Sequence, residues 1–505
     1  MRKKIVAILM AAAMIISMLA GCANTETPKG TDAQTGAPTA GEAVKETDKP
    51  EETEKKPDPE TVIWWVPGTE AEDHDLVMEE LNKILVEKIN VKLDLVRIDT
   101  GFADRVKLAS TSGEEFDLVW TSNYSNKFDE NLAREGFMAI EDIVAEYGQD
   151  LVATLPEGLL DVATVDGHLY AIPNLQILAR QLGVYVMKDY AEKYNLELTH
   201  IDDISELYPF LDQIVANEPN VYALTSSGVS PTNEAVYESL ANGAVFVRKD
   251  DTGLTAISNA EATAANLRAR NEWYQRGYIQ EDIVTATDIS AGMKAGKYVC
   301  QVAVYKPGGA EERSINHGIE YICIPIGEPY IQAASGQETM TAVNVNSKHP
   351  EAAIKLLNLL FTDKEVFNML LYGIEGVHYN KIDETHAQKV ENTKYNYSGQ
   401  AWRLGNQFLA YYSPTQVDGT WEATAEMNRT AQVSPMRGFV FDATNVQAEL
   451  AQISAVTKEY SDALAYVAED IEAYIAERAA KLETAGLSKV VAEVQAQLDA
   501  WKAAK

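Results

Sequence analysis

The chain has 505 residues, of which 46% are hydrophobic, so it is long enough and apolar enough for two or three folded domains. It contains 76 acidic and 43 basic residues, which gives a formal net charge of −33. No basic run follows the first four residues, and this charge balance argues against binding to the phosphate backbone of a nucleic acid.

Residues 1–21 have the features of a signal peptide. A basic start is followed by a largely apolar run over residues 5–20, which is shorter than the roughly 20 residues of a membrane span. Small residues then precede Cys22 directly, and this arrangement resembles the bacterial lipobox. It implies a lipidated Cys22 that holds the protein on the outer face of the bacterial cytoplasmic membrane. The alternative is a plain secreted protein with an incidental cysteine.

A tether is predicted next, over residues 22–60. From residue 24 the segment is rich in Thr, Pro, Gly, Glu and Lys and lacks apolar periodicity, so it cannot bury enough surface to fold. We expect it to separate a globular body from the membrane.

The folded body begins with an alternation of strands and helices. Apolar patterning predicts strands at 61–65, 91–95 and 117–120, with helices at 76–89 and 102–111 between them. Strands that alternate with helices in this way are typical of an α/β fold with a parallel sheet.

The middle of the chain is mixed, and its end is helical. Short strands are predicted at 169–172, 183–187, 298–304 and 319–326, and a helix at 350–361, where Pro350 suits the first turn. From Val446 onward, apolar residues recur every three or four positions up to Trp501. We expect this C-terminal segment to brace the body.

No catalytic, cofactor-binding or metal-binding motif is present. The histidines form no H-E-x-x-H pair, and the sequence has no Cys-x-x-Cys, EF-hand or G-x-S-x-G motif. We therefore predict a protein that is not an enzyme and uses neither a cofactor nor a metal. Cys300 and Cys323 lie on two strand-like runs and either pair as neighbours or remain free and buried.

Several stretches resemble the extracellular solute-binding lipoproteins of carbohydrate ABC importers. They lie in family order along the chain, and the last resembles a DUF3502-type C-terminal module. These stretches are Ile63-Trp64-Trp65, Phe116 to Thr121, Asp166 to Asn174, Gly373 to Tyr379, Leu404 to Phe408 and Gly438 to Asp442.

The resemblance implies a two-lobed, periplasmic-binding-protein-like fold of type II, with a hinge and a ligand cleft. It assigns 61–172 and 296–345 to lobe 1, 173–295 and 346–435 to lobe 2, and 436–505 to the helical module. The expected hinge crossings are Ala171-Ile172-Pro173 and Val343–Lys348. The implied partners are a carbohydrate and the subunits of an ABC permease, and we expect a monomer.

A sugar cleft needs aromatic rings beside planar polar groups, on loops that follow strands. Trp64 and Trp65 alternate, so one of the two should lie in the core; we favour Trp65 as the cleft residue, and the alternative is that it is a core residue. Trp402, Arg403 and Asn406 form the strongest local cluster, and Arg403 would favour an acidic sugar. The other predicted ligand-binding residues are Asn123, Tyr124, Asn174, Gln176, Tyr305, Glu375 and His378.

The leading hypothesis is therefore a lipid-anchored protein that captures an oligosaccharide for import. The same fold could bind a peptide or another solute. It could also act as a sensor that presents its ligand to a membrane kinase. A lipid-anchored glycosidase would need a close pair of carboxylates in the cleft.

Overall fold

The computed structural model describes residues 57–226, 231–286 and 288–504. The predicted signal peptide, Cys22 and nearly all of the predicted tether lie outside these residues. The strands are β1 (Glu60–Pro67), β2 (Val91–Ile98), β3 (Leu118–Thr121), β4 (Thr164–Val165), β5 (His168–Leu169), β6 (Ala171–Pro173), β7 (Arg180–Met187), β8 (Tyr222–Ser226), β9 (Tyr237–Leu240), β10 (Val245–Arg248), β11 (Ile257–Ser258), β12 (Tyr298–Val304), β13 (Tyr321–Ile331), β14 (Met340–Val343), β15 (Tyr379–Lys381), β16 (Ala387–Lys389) and β17 (Gln432–Val433).

Helices separate most of these strands and cover the sheets. They are α1 (His74–Ile89), α2 (Phe102–Ser112), α3 (Phe128–Leu132), α4 (Glu141–Tyr147), α5 (Gln149–Thr154), α6 (Lys188–Lys193), α7 (Tyr208–Asn217), α8 (Pro231–Glu234), α9 (Asn259–Gln275), α10 (Ile289–Lys294), α11 (Gly309–His317), α12 (Pro350–Thr362), α13 (Lys364–Tyr372), α14 (Thr420–Thr430), α15 (Gln447–Glu459), α16 (Asp462–Tyr466), α17 (Ile471–Thr484) and α18 (Leu487–Ala504).

The first lobe is built on a sheet with the strand order β2-β1-β3-β14-β6. Strands β1, β2 and β3 are parallel, and β14 runs antiparallel to both β3 and β6. Helices α1, α12 and α13 share this lobe's apolar core. The predicted strand and helix alternation at the start of the body is confirmed.

The second lobe is built on a sheet with the strand order β17-β13-β7-β12-β8. Strand β7 runs antiparallel to both of its neighbours, β12 and β13. The two-lobed α/β fold expected from the sequence is therefore present. Each lobe has its own core of buried apolar residues.

The predicted division of the chain between the lobes is wrong in two places. Segment 296–345 was expected in lobe 1, but β12 and β13 pair in the second sheet, and only β14 joins the first. Segment 346–435 was expected in lobe 2, but α12 and α13 pack in the core of the first lobe. The pattern of a buried strand identifies the strand and does not identify its sheet, because pairing partners lie far apart in sequence.

Within the described residues, the chain crosses between the lobes three times, at residues 174–179, at 332–339 and at Ala431. The first crossing directly follows the predicted Ala171-Ile172-Pro173. The second was expected at Val343–Lys348 and instead precedes β14. Asn428 joins the first and third crossings, because its Oδ1 accepts from Leu178 N at 2.9 Å and its Nδ2 donates to Gln176 O at 2.8 Å.

The C-terminal helices pack on the second lobe. Val490, Val494 and Leu498 are buried against Val245 and Val247 of β10. The buried Arg478 donates to Asn259 Oδ1 at 2.6 Å and to Thr263 Oγ1 at 3.1 Å on α9. The segment therefore completes a third apolar core.

Cys300 and Cys323, the two cysteines among the described residues, are both free. Cys300 on β12 and Cys323 on β13 lie on opposite sides of β7, where they pair with Val186 and Tyr185. Two strand spacings separate such residues by about 9–10 Å, which exceeds the reach of a disulfide. The pairing considered from the sequence is therefore excluded, and burial raises the pKa of the Cys323 thiol to about 12.

Candidate functional site

The facing edges of the two sheets define a cleft. In the first sheet, β3 ends at Thr121 opposite Met340, where the second crossing enters, and β1 and β2 end at the same edge. In the second sheet, β12 ends at Val304 opposite Leu182, close to the start of β7. Because the crossings are short, loops that follow β1, β2, β3 and β12 are brought to the hinge side of their lobes.

An aromatic platform lies at this edge of the first lobe; it consists of Trp120, Tyr124 and Trp402. The ring centroid of Trp120 is 5.9 Å from that of Tyr124 and 6.4 Å from that of Trp402, both in edge-to-face geometry. Trp120 is buried, whereas Tyr124 is 55% exposed and Trp402 is half-buried. The platform therefore offers exposed ring surface on a fixed base, as sugar stacking requires.

Arg403 contacts the platform, and Arg97 is linked to the helical turn that ends at Arg403. Arg403 Cζ lies 4.3 Å from the ring centroid of Trp402 and 5.2 Å from that of Trp120. Arg97, the second-last residue of β2, lies 4.3 Å above the ring of Tyr397 and donates from Nη2 to Gln400 Oε1 at 2.5 Å. Burial lowers the pKa of Arg97, and the positive charge of Arg403 acts in the same direction.

The second lobe contributes a cavity of about 310 Å³ beside the hinge. Arg180 at its rim donates to Glu234 Oε2 from Nη2 at 2.6 Å, and Lys249 Nζ lies 4.7 Å from the ring centroid of Tyr330. Burial lowers the pKa of Lys249. The cavity thus combines ring surface with hydrogen-bonding groups; its lining residues are Arg180, Asn233, Glu234, Tyr237, Ser239, Phe246, Lys249, Tyr330 and Gln332.

Of the residues predicted to bind ligand, Tyr124, Trp402 and Arg403 are brought together around Trp120. Asn123 is exposed next to Tyr124 and lines a separate apolar cavity of about 420 Å³ with Gln337 and other residues. Tyr305 is half-buried at the end of β12 and also packs against the core of the first lobe.

Trp65, which we favoured as a cleft residue, lies in the core. It is 4% exposed and stacks on Phe116 at 4.6 Å, with Arg105 Cζ 4.5 Å from its ring centroid. Trp64 is fully buried as well. Both are buried because β1 is a central strand that is covered on both faces, so alternation does not expose either side chain.

The side chains of Asn174 and Asn406 hold backbone segments together, whereas Gln176 is half-buried in the first crossing and takes part through its backbone carbonyl. Asn174 is fully buried and donates from Nδ2 to Thr339 Oγ1 at 2.8 Å and to Arg403 O at 2.9 Å. Asn406 donates to Phe361 O at 3.1 Å and caps the short turn that follows it. The carbonyl of Gln176 accepts from Asn428.

Glu375 and His378 form a separate structural group. His378 is buried, accepts at Nδ1 from Ile374 N at 3.0 Å, and lies with Nε2 3.2 Å from Asp73 Oδ2. Glu375 is exposed and pairs with Lys381 at 3.0 Å. The Gly-bounded loop that suggested a ligand contact is thus fixed by its own histidine.

Arg97 was missed by the sequence analysis, although a signal was present. In β2 the side chains of Val91, Leu93 and Leu95 are buried, and Arg97 continues that inward phase. An arginine at an inward position at the end of a parallel strand marks a polar requirement at that edge. The residues of the second-lobe cavity gave no comparable pattern, since they come from separate elements.

In residues 57–226, 231–286 and 288–504 we find no group of three or more His, Cys, Asp or Glu side chains that could hold a metal ion. Over the same ranges, none of the helices has both the length and the apolar composition needed to traverse a bilayer.

Comparison with known families adds the decisive observation. The sequence profile of the bacterial extracellular solute-binding protein family matches residues 71–366. The chain belongs to this family. A second profile, a domain of unknown function called DUF3502, matches residues 435–503, which are the C-terminal helices and the segment before them.

Two curated relatives align with more than half of this chain. A carbohydrate ABC transporter substrate-binding protein of Streptococcus pneumoniae is 25% identical over 443 residues, which are 86% of this chain and 89% of the relative. The polygalacturonan/rhamnogalacturonan-binding protein YtcQ of Bacillus subtilis is 24% identical over 341 residues, which are 63% of this chain and 67% of the relative.

Solved structures share the fold. The N-glycan transport solute-binding protein NgtS of Streptococcus pneumoniae superposes with a TM-score of 0.70 at 23% identity, over 87% of this chain and 98% of NgtS. The same protein in complex with Man1GlcNAc gives a TM-score of 0.58 at 22% identity, with the same coverage of both chains. These likenesses establish the architecture of the solute-binding protein.

Proposed function

We propose that this solute-binding protein captures an oligosaccharide between its two lobes and delivers it to an ABC permease. The observation that carries the proposal is the aromatic platform at the cleft edge, with a fixed tryptophan base and exposed rings. Sugar rings stack on such surfaces through their C–H faces. Both curated relatives are named for carbohydrate or polysaccharide ligands, which supports the same ligand class.

Capture requires that the lobes close over the ligand. The rings of the first lobe supply stacking, and the second-lobe cavity supplies polar groups for the hydroxyls. Enclosure strengthens each matched hydrogen bond and penalises each unmatched one. The protein carries out no chemistry on its ligand, so a bound oligosaccharide should be recovered intact, which chromatography after long incubation tests.

The protein acts from the outer face of the cytoplasmic membrane, held by a lipid on Cys22. The lipobox-like sequence before Cys22 supports this anchor. In the native host, the Cys22→Ser variant should appear in the culture medium, whereas the wild-type chain should fractionate with membranes. Membrane association of the variant equal to that of wild type would contradict the anchor.

A thermal-shift screen of the chain without residues 1–22, against mono-, oligosaccharide and peptide panels, tests the ligand class. A ligand at 100 times its Kd stabilises the folded state by about 2.7 kcal/mol. Trp402→Ala and Tyr124→Ala should each weaken the binding of an oligosaccharide hit about tenfold or more. The matched control is Tyr222→Ala, since Tyr222 lies at the start of β8, away from the hinge side, and is similarly accessible. Binding of peptides alone would overturn the carbohydrate assignment.

A further inference from the structure

Arg97 is linked to the short helical turn Ser398–Arg403, because its Nη2 donates to Gln400 Oε1 in that turn, and Arg403 is the last residue of the same turn. In the part of the chain that the structure describes, neither arginine forms an ion pair with a carboxylate. Several other arginines in this acidic protein do find such partners, for example Arg105 with Glu114, Arg268 with Glu472 and Arg429 with Glu426. The buried Arg478 instead bonds to the neutral side chains of Asn259 and Thr263. Both guanidinium groups thus lie over aromatic rings without a carboxylate partner among the described residues, in a chain with an excess of carboxylates.

Arg97 is held in place while part of its hydrogen-bonding capacity is unused. Its side chain is 8% exposed, and its Nε and Nη1 have no hydrogen-bond partner. The Nε of the half-buried Arg403 is buried and unpartnered too. Gly68 at the end of β1 permits this placement, because an added Cβ would collide with Arg97 Nη2.

Such an arrangement is costly without an anion. Two like charges repel more strongly near a protein interior than in water, and each unsatisfied buried donor carries a desolvation penalty. An anion placed between two guanidinium groups removes both costs. A carboxylate suits them best, since its two coplanar oxygens match the planar N–H fork of arginine.

We propose that Arg97 and Arg403 bind the carboxylate of an acidic sugar residue, so that the captured oligosaccharide is an oligouronide. This inference rests on the proposed function and narrows its ligand class. The uronate ring would stack on the exposed part of Trp402, with its carboxylate turned toward the two guanidinium groups.

Isothermal titration calorimetry on the chain without residues 1–22 tests the proposal. The probes are oligomers of galacturonate, glucuronate and mixed mannuronate–guluronate, each beside its methyl ester, which keeps the shape and removes the charge. We expect an acid form to bind, and esterification to weaken its binding about tenfold or more. Binding of the acid should also weaken as the salt concentration rises.

The variant Arg403→Gln should bind the acid form about tenfold or more weakly than the wild type does, and its affinity for the ester should change little. The reason is that the substitution and the esterification remove the same interaction, between the guanidinium group and the carboxylate. Arg97→Gln should show the same loss of affinity for the acid form, provided that its melting temperature shows that it folds. If Arg97→Gln does not fold, Arg403→Gln still tests the proposal, because Arg403 is only half-buried. The matched control Arg268→Gln removes the same charge on α9 and should leave both affinities unchanged.

The alternative outcomes separate the two proposals. Equal binding of acid and ester, or binding of neutral or sulfated oligosaccharides with none of the uronides, would overturn the carboxylate site and leave the carbohydrate-binding function standing. Failure of every charged and neutral oligosaccharide to bind would overturn the proposed function itself.

Discussion

Asn174 donates from Nδ2 to the hydroxyl of Thr339 over 2.8 Å, and this bond joins the first and second crossings between the lobes. The same hydroxyl accepts from Trp120 Nε1 at 2.9 Å. One threonine thus connects the hinge to the base of the aromatic platform. Through this hydroxyl, Trp120 and the two crossings are linked by direct hydrogen bonds.

The variant Thr339→Val tests this link. Valine keeps the shape of the side chain and leaves two buried donors unsatisfied, so the free energy of unfolding should fall by about 1–3 kcal/mol. Urea titration followed by circular dichroism measures the change. Thr484→Val is the matched control, since its hydroxyl is exposed and bonds only to a carbonyl within α17. Equal effects of the two variants would contradict the role of Thr339.

Trp65 and Trp402 should respond differently to the same substitution. Because Trp65 is buried against Phe116, Trp65→Ala should reduce stability by about 3–5 kcal/mol and leave the affinity of the folded molecules unchanged. Trp402→Ala should reduce affinity at a smaller cost in stability. Melting curves and calorimetry on both proteins give the comparison. Loss of affinity in the folded Trp65→Ala variant would indicate that Trp65 contacts the ligand in the cleft after all.

The C-terminal helices should brace the second lobe. Leu498 is fully buried in the third core, so Leu498→Ala should cost about 2–5 kcal/mol of unfolding free energy. The control is Leu464→Ala on α16, where the side chain is 38% exposed and the expected change is within about 0.5 kcal/mol. Deletion of residues 436–505 should uncover the same core and lower the melting temperature sharply. Unchanged stability after deletion would contradict bracing.

Glu338 in the second crossing should make stability depend on pH. Burial raises the pKa of this carboxyl, and the charge of Arg437 offsets part of that effect. A carboxyl whose pKa is higher in the folded than in the unfolded state favours folding when protonated, and this contribution is lost as the pH rises through the folded pKa.

Glu338→Gln should therefore raise the melting temperature at pH 7, and the gain should disappear below about pH 4, where the carboxyl is protonated in both states. Melting curves between pH 3 and 8 measure the difference. The exposed Glu115→Gln removes one charge as well and should show no such trend. A gain that is constant over the whole range would rule out titration of Glu338 as its cause.

Local order could be predicted well from the sequence, because the period of the apolar residues reports local geometry. Helices α1 and α2 and the strands between and after them were expected at nearly their observed bounds. Sheet membership could not be predicted this way: β12 and β13 look like buried strands in either sheet, and only pairing with β7 assigns them.

The candidate site could be predicted only in part, because the sequence shows which residues are neighbours along the chain and does not show which residues the fold brings together. Trp402 and Arg403 stood out because ring and charge are adjacent in sequence. Their partners Trp120 and Arg97 come from the ends of other strands, and only the fold brings them together. Asn174 and Asn406 were misassigned because a buried asparagine that binds backbone has the same residue type as one that binds sugar.

The way in which the last helices complete the second lobe has a consequence for the order of folding. Val245 and Val247 of β10 are buried by Val490, Val494 and Leu498, roughly half the chain further on. The apolar surface of β10 therefore stays open until the C-terminal helices have been synthesised. Such late closure favours slow folding and exposes a strand to aggregation. We therefore expect truncated chains that lack the final segment to be degraded by proteases more readily than the full chain.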